Sequence, residues 1–206
     1  IDFIYSIVMP STRPSIGYHI LALVTIAVWG TTFVSTKVLL SHGLTPPEIM
    51  FYRFIIAYAL TWIFTRKVWA DTWKDELLLA LAGFTGGTLY FLAENTALDY
   101  SITSNVALVV CVTPVLTALL TSLCYKERIT ARLVVGSVVA LLGVGFVVLN
   151  GTVLKIHPLG DALALVAAVA WAVYSVVIRR FDGCYTTWFV TRKVFFYGIV
   201  TMIPFI

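Results

Sequence analysis

The sequence predicts an all-α integral membrane protein, a multi-helix bundle that contains an inverted-topology repeat. Three observations lead to this prediction. Of the 206 residues, 60% are hydrophobic and only 12% are charged, whereas an ordinary soluble domain carries roughly 25% charged residues. The apolar residues gather in blocks of about twenty, which is the length that a helix needs to cross the hydrocarbon core of a bilayer. Finally, the sixth block repeats part of the first.

Seven apolar blocks predict seven helices, joined by connections too short for a soluble catalytic domain. Short connections make sequential helices antiparallel, and any function therefore lies between them. In chain order, predicted helices 1 to 7 are Tyr18–Leu40, Ile49–Thr65, Leu77–Leu98, Ser101–Tyr125, Leu133–Leu149, Leu159–Ile178 and Thr187–Ile206.

The basic residues give these helices an orientation. One side carries Arg13, Arg66, Lys67, Lys74, Lys126, Arg128, Arg132, Arg179 and Arg180, whereas the other carries Lys37 and Lys155. The positive-inside rule then places the N-terminus in the cytoplasm. This sidedness accounts for the net charge of +4 without a nucleic-acid partner. We expect a plasma-membrane location, most simply the inner membrane of a bacterium.

The internal repeat relates predicted helices 6 and 7 to helices 1 and 2. A shift of 142 residues places Trp171 on Trp29, and nearly the same shift places Arg192 on Arg53. Five helices separate the matched starts, so the second copy enters the membrane from the opposite side. Inverted repeats of this kind are typical of secondary transporters, whose substrate site lies near the bilayer midplane where the halves meet.

The repeat divides the chain into an N-terminal lead segment (1–17), a first repeat of five helices (18–150) and the start of a second repeat (158–206). The second copy contains two helices and stops at Ile206. We therefore expect three further helices in the full protein.

Several segments of the chain resemble the EamA branch of the drug/metabolite transporter superfamily. They are Trp29-Gly30-Thr31-Thr32-Phe33 leading to Lys37, the pair Arg53-Phe54, the run from Ala97 through Ser104, Asn105 and Pro114, the loop Lys126-Glu127-Arg128, and Gly160-Asp161 followed by Trp171 and Tyr174. The resemblance implies ten helices in two inverted halves and both termini in the cytoplasm. It also implies that metabolites pass through a central cavity.

Polar residues near the outer ends of predicted helices 1 to 4 form a candidate gate or coupling site. They are Lys37, Arg53, Glu94, Asn95 and Asn105. An ionisable side chain inside a membrane span is costly, which marks it as a functional candidate. One acid at the depth of two bases favours a buried network in which Glu94 pairs with Lys37 or Arg53. Separate interfacial anchors are the alternative.

A second candidate site lies near mid-membrane. Trp29, Tyr90, Thr113, Trp171 and Tyr174 each combine an apolar body with one polar group, which suits the lining of a substrate cavity. Core packing is the alternative for each of them. The two tryptophans are favoured because the repeat relates them.

Pro114 predicts a kink in helix 4, since proline removes one backbone hydrogen bond. The hydroxyl of Thr113 or Thr117 is placed to satisfy the freed carbonyl. The kink acts either as a hinge or simply as a bend. Glu127, in contrast, is assigned to a loop salt bridge or helix cap, and Gly83 and Gly87 are assigned to close helix packing.

These observations predict a secondary transporter that moves a small metabolite, such as an amino acid, across the bilayer by alternating access, with export as one direction. Protons are a candidate coupling ion, and no cofactor or metal is expected. A passive channel is one alternative. A seven-helix receptor or retinal protein is another, but Lys193 lies near the start of its helix and the repeat favours transport. An enzyme is excluded, because HExxH and GxSxG are both missing from the sequence.

Overall fold

The computed structural model describes residues 16–149 and 157–206. It divides into two compact units, Ile1–Ser35 and Thr36–Ile206. The described part of the first unit is the beginning of one helix, and most of its side chains are exposed. Most of the predicted lead segment, and Lys155, lie outside the described residues.

All regular structure within 16–149 and 157–206 is helical, which confirms the predicted all-α class. Each of the seven helices corresponds to one predicted from the sequence. They are α1 (Ile16–Ser41), α2 (Pro46–Thr61), α3 (Trp73–Tyr100), α4 (Thr103–Tyr125), α5 (Ala131–Leu149), α6 (Pro158–Arg179) and α7 (Thr187–Met202). By length and composition, α1 from His19, α3, α4 and α6 are able to cross a membrane, whereas α2 and α7 have only 16 residues each.

Two helices begin earlier than their apolar runs predict because polar residues cap them. Before α2, the Glu48 carboxylate accepts hydrogen bonds from the backbone N–H and the hydroxyl of Thr45, at 2.8 and 2.7 Å. Before α3, the Thr72 hydroxyl accepts a hydrogen bond from the backbone N–H of Asp75. Caps of this type satisfy the unpaired N–H groups of the first turn. As a result, Glu76 lies in the first turn of α3.

The middle of α3 is a π-helical segment, Gly83–Leu89. Two of its glycines, Gly83 and Gly87, lie against α7 at distances that leave no room for a side chain. A Cβ atom on Gly83 would come within 2.4 Å of Tyr197 Cβ, and one on Gly87 within 3.0 Å of Gly198 Cα. The segment thus packs directly on the backbone of α7, as the assignment of these glycines to close packing predicts.

Helix α4 is interrupted near its middle. Regular α-helix ends at Val110 and resumes at Thr113, with Pro114 in the first turn of the second part. Proline has no N–H to offer the carbonyl of Val110 four residues earlier. The Thr113 hydroxyl donates to that carbonyl instead, at 2.6 Å. A hinge role for Pro114 stays a prediction.

The second unit has two ends, which we name by their loops. At the basic end, residues 62–72 meet residues 180–186: the backbone N–H of Asp71 donates to the Tyr185 hydroxyl at 2.9 Å, and that hydroxyl donates to Asp75. Arg180 lies 3.8 Å from the same Asp75 carboxylate. The opposite end contains residues 42–45 and 101–102. There the Lys37 ammonium donates to the carbonyl of Ser101, at 3.5 Å.

Helices α2 and α7 run in opposite directions within this unit. The start of α7 lies beside the end of α2, since Arg192 donates to the carbonyl of Thr65 at 2.8 Å. The last residue of α7, Met202, packs against Met50 near the start of α2. These two helices are therefore antiparallel. Superposition of helices 1 and 2 on 6 and 7 through a twofold axis stays a prediction.

Candidate functional site

Aromatic rings from α3 and α6 form a continuous surface that we call the aromatic wall: Tyr90, Phe91, Trp171 and Tyr174. Ring centroids are 4.8 Å apart between Tyr90 and Phe91, 4.7 Å between Tyr90 and Trp171, and 5.0 Å between Trp171 and Tyr174. Offset and edge-on contacts at these distances are the favoured arrangements of aromatic pairs. The structure thus brings together Tyr90, Trp171 and Tyr174, three of the five predicted cavity residues.

Glycine in α3 permits this wall to form. A Cβ atom on Gly86 would lie 2.3 Å from the ring of Tyr174, so any larger residue would displace the ring. Phe54 of α2 then continues the aromatic surface, 5.4 Å from Phe91 and 5.0 Å from Phe195. The wall is therefore held by three helices, α2, α3 and α6, with α7 beside it.

Glu94 is the acidic residue beside the wall. Its side chain lies one helical turn beyond Tyr90, the residue is only 5% exposed, and its carboxylate accepts a hydrogen bond from the Tyr90 hydroxyl. Burial of a carboxylate is costly unless it is paired. The expected ion pair with Lys37 or Arg53 is wrong in its direct form: neither base has a nitrogen within 4.0 Å of this carboxylate among the ion pairs of the described residues.

The two bases bind other groups at the opposite end. Lys37 donates to the carbonyls of Leu98 and Ser101, in and just after the last turn of α3, where unpaired carbonyls and the helix dipole attract a cation. Arg53 donates to the Thr36 hydroxyl at 3.0 Å and interacts electrostatically with Glu94 from a greater distance. These local acceptors explain why neither base reaches Glu94.

The two asparagines of the predicted gate are also buried. Asn95 is 1% exposed; its amide nitrogen donates weakly to the Pro46 carbonyl at 3.4 Å, and its Oδ1 has no hydrogen-bond partner among the described residues. Asn105 is buried in the first part of α4. Asn95 therefore offers a buried acceptor at the opposite end.

The remaining predicted residues lie elsewhere. Trp29 belongs to the first unit, where 39% of its surface is exposed. Thr113 is buried, but its hydroxyl is used by the Val110 carbonyl, and Pro114 is exposed. The roles of these three residues stay predictions.

Sequence reasoning missed a buried charged cluster at the basic end, which we call the Glu76 cluster: Glu76, Lys193 and Tyr197. The Glu76 carboxylate accepts hydrogen bonds from the Lys193 ammonium and the Tyr197 hydroxyl. The side chains of Lys193 and Glu76 are 5% and 8% exposed. The run Lys74-Asp75-Glu76 resembles a solvated loop. Thr72 followed by two acids is a helix-start signal that identifies it correctly.

Arg192, the repeat partner of Arg53, lies beside this cluster. It donates to the Thr65 carbonyl, and its guanidinium lies 4.5 Å from the centre of the Trp62 ring. The two arginines thus bind polar atoms at opposite ends of the unit. Among residues 16–149 and 157–206, no three His, Cys, Asp or Glu side chains are placed to hold a metal ion.

Comparison with known proteins identifies the family. The sequence model of the EamA-like transporter family matches residues 16–149. The chain belongs to this family. An uncharacterized transporter of Archaeoglobus fulgidus is 28% identical over 193 residues, which is 91% of this chain and 66% of that protein. The probable amino-acid metabolite efflux pump of Escherichia coli is 28% identical over 192 residues, 90% of this chain and 61% of that protein.

The fold is also known from a solved structure. One crystal structure matches this EamA family chain with a TM-score of 0.63 at 21% identity, over 84% of this chain and 64% of that one. Like the sequence relatives, the solved protein is longer, and this chain spans about two thirds of it. The helical membrane architecture is therefore that of an established fold.

Proposed function

We propose that this chain is part of a secondary transporter that carries a small organic solute, an amino acid or a related metabolite, by alternating access. The observation that carries the proposal is Glu94, a buried carboxylate without an ion pair beside an aromatic wall. In a membrane protein such a group is a candidate for contact with a solute or a proton. The family supports transport, and no enzyme activity is proposed.

The chemistry of the site favours a solute with an amino group. Aromatic faces attract organic cations, and Tyr90 aims its hydroxyl at the Glu94 carboxylate, which orients the anion beside these faces. Glu94 then binds the ammonium group of the solute. Arg53, whose side chain makes one hydrogen bond within the part of the chain that the structure describes, to Thr36, binds the carboxylate of the solute. The name of the Escherichia coli relative, an amino-acid metabolite efflux pump, agrees with this class.

The finer elements of the mechanism belong to the same proposal. Glu94 is the site where a coupled proton binds when the solute is absent. The cavity is completed by Trp29 and Thr113. A gate at the opposite end is formed by Lys37, Asn95 and Asn105. Pro114 acts as a hinge. The basic end faces the cytoplasm of a plasma membrane, as the distribution of charges predicts.

Counterflow in proteoliposomes containing the full-length protein tests the proposal. Vesicles are loaded with unlabelled amino acids or other small metabolites, and uptake of the labelled compound is measured. A transporter shows uptake that is stimulated by solute on the far side, whereas a passive channel shows none. Failure of every compound in the panel to stimulate uptake would contradict the proposal.

Glu94→Gln tests the site itself, because glutamine keeps the shape and hydrogen bonding of the side chain but loses its charge. We expect the protein to fold and the flux, or the dependence of flux on pH, to change. Glu127→Gln is the matched control, since Glu127 is an exposed acid that pairs with Arg179 outside the site. Equal flux in Glu94→Gln and the native protein at every pH would exclude Glu94 from the mechanism.

A further inference from the structure

The Glu76 cluster joins three segments at the basic end. One Glu76 oxygen accepts from the Lys193 ammonium and the Tyr197 hydroxyl of α7, and the other accepts from the backbone N–H of Ala70 at 2.9 Å. The first turn of α3, the start of α7 and the loop before α3 therefore meet at one carboxylate. Separation of α3 from α7 at this end would break the contacts with Lys193 and Tyr197 together, whereas the Ala70 contact would move with α3.

Aromatic rings shield the cation of this pair from water. The Lys193 ammonium lies 4.7 Å from the centre of the Trp69 ring, 5.3 Å from that of Tyr197 and 5.7 Å from that of Phe196. A cation over aromatic faces is stabilised there even when it is desolvated. Since the Glu76 side chain is similarly buried, both members of the pair are shielded from bulk solvent in this conformation.

A buried ion pair contributes little net stability compared with well-packed apolar residues, but it resists separation as long as water is excluded. Such a contact favours two distinct states. In one the ion pair is formed and buried, and in the other its charges are apart and solvated. The exposed pair of Glu127 and Arg179 lies at the same end without this property, because both side chains already contact solvent. The difference in burial indicates a role for the Glu76 pair other than simple anchoring.

The pair stands between the basic end and the aromatic wall. Moving inward along α3 from Glu76, the next buried residues are Leu79 and Ala82, which pack with Val190 and Val194 of α7. Gly86, in contact with the wall, follows. Glu76 and Tyr90 are about 20 Å apart along the helix at ~1.5 Å per residue. This packed layer separates the pair from the wall.

We propose that the Glu76–Lys193 pair is the closing contact of the transport pathway at the basic end, and that it separates in every transport cycle. The inference rests on the proposed function. It assigns to α7 the motion that opens this end, with the Leu79 layer exposed when the pair breaks. Glu94 and the opposite end are gated separately.

Cysteine accessibility tests this inference in the full-length protein. The native residues Cys111, Cys124 and Cys184 are replaced by alanine, and a reporter is placed at Val194→Cys, directly beneath the pair. A second reporter, Ala97→Cys, is fully buried at the opposite end. The rate of reaction with a membrane-impermeant maleimide is measured in right-side-out and inside-out vesicles, without any solute.

In Glu76→Gln, we expect labelling at Val194→Cys from the side of the basic end to rise by about tenfold, because the open population grows when the pair loses one charge. Labelling at Ala97→Cys is expected to stay at the native rate. The exchanged pair Glu76→Lys with Lys193→Glu should label more slowly than Glu76→Gln, because the charges attract again, but faster than the native protein, since the Ala70 N–H loses its acceptor. Glu127→Gln should leave the native labelling rate unchanged.

Three results would overturn the inference: unchanged labelling at Val194→Cys, an equal rise at both reporters, or labelling of the exchanged pair as fast as that of Glu76→Gln. If Glu76→Gln fails to fold, as judged by thermal unfolding in detergent, Lys193→Gln and the exchanged pair provide the same comparison. Counterflow by the unsubstituted protein is measured alongside. Its absence would contradict the proposed function, while the labelling rates would still decide whether the pair closes this end.

Discussion

Helix α3 carries one buried carboxylate near each end, and the two carboxylates differ in their hydrogen-bond partners. At the basic end, Glu76 has a cation, a phenol and a backbone N–H as partners. Near the opposite end, Glu94 has one phenol, Tyr90, although two bases lie in the same region and bind other groups. The satisfied carboxylate suits a contact that holds helices together. The under-satisfied one suits a contact that a solute or a proton completes.

The largest effect is expected from Lys193→Met. Loss of the cation leaves Glu76 buried without a counter-charge, which costs about 3 to 5 kcal/mol of unfolding free energy. The double variant Glu76→Met with Lys193→Met should be more stable than Lys193→Met, because no charge is left buried, although the Tyr197 hydroxyl and the Ala70 N–H lose their acceptor. Thermal unfolding in detergent measures both. A single variant as stable as the double one would show that the pair is not dry.

Tyr90→Phe and Tyr197→Phe compare the two carboxylates directly. Tyr90 supplies the only side-chain hydrogen bond that Glu94 receives within the described residues, so its loss should cost about 1 to 3 kcal/mol. Tyr197→Phe should cost less, about 0.5 to 1.5 kcal/mol, since Glu76 keeps Lys193 and the Ala70 N–H. Unfolding midpoints of the two variants give the order. The reverse order would break the comparison.

Gly86→Ala tests whether the aromatic wall tolerates a displacement of the Tyr174 ring. The added methyl group meets the Tyr174 ring, and overpacking of this kind costs about 1 to 3 kcal/mol. Counterflow should fall as well, because the ring belongs to the wall. Gly143→Ala is the matched control: it has open space around it and should gain up to about 1 kcal/mol from helix propensity. Equal behaviour of the two variants would refute the close contact.

The smallest effect is expected at the exposed pair. The hydrogen bond from Arg179 holds the pKa of Glu127 below its ordinary value. Because the pKa of Glu127 is lower in the folded state, its ionisation stabilises the folded protein at pH values above the unfolded-state pKa, which is near 4.3. This contribution disappears as the pH falls through the folded-state pKa. The unfolding midpoint of Glu127→Gln should therefore be only slightly below that of the native protein at pH 7, and the difference should vanish once the pH is below the lowered pKa of the folded state. A large difference in unfolding midpoint between the two proteins at neutral pH would contradict the exposed position of the Glu127–Arg179 pair.

The helices were predictable because blocks of apolar residues are long and the connections are short. The partners of the charged residues were not. The depth of a residue in the membrane can be estimated from its position along a helix, and by this estimate Glu94 is level with Lys37 and Arg53. Contact between side chains also depends on the direction in which each points from its helix axis. Lys37 instead reached the free carbonyls at the end of α3. The structure brings together Tyr90, Trp171 and Tyr174, which were grouped by their mid-membrane positions, and their role in a substrate cavity stays a prediction.

Glu76 shows the opposite failure. The apolar run begins at Leu77, so a search for hydrophobic blocks assigned Glu76 to the preceding loop. The Thr72 cap extends the helix backward by a turn and carries the acid into the interior, where Lys193 meets it. A cap is a local signal of only a few residues, and its consequence for burial depends on α7, which lies more than a hundred residues further along the chain.

The π-helical segment of α3 also sets how these two carboxylates are turned relative to each other. Glu76 and Glu94 are eighteen positions apart, which is five complete turns of a regular α-helix, so an unbroken α3 would point both in the same direction. Each wider turn in Gly83–Leu89 holds extra residues and rotates everything beyond it about the axis. Each extra residue held there places Glu94 about 100° away from the direction that an unbroken α-helix would give it. Tyr90, which also lies beyond the segment, turns with it and keeps its hydrogen bond to the carboxylate.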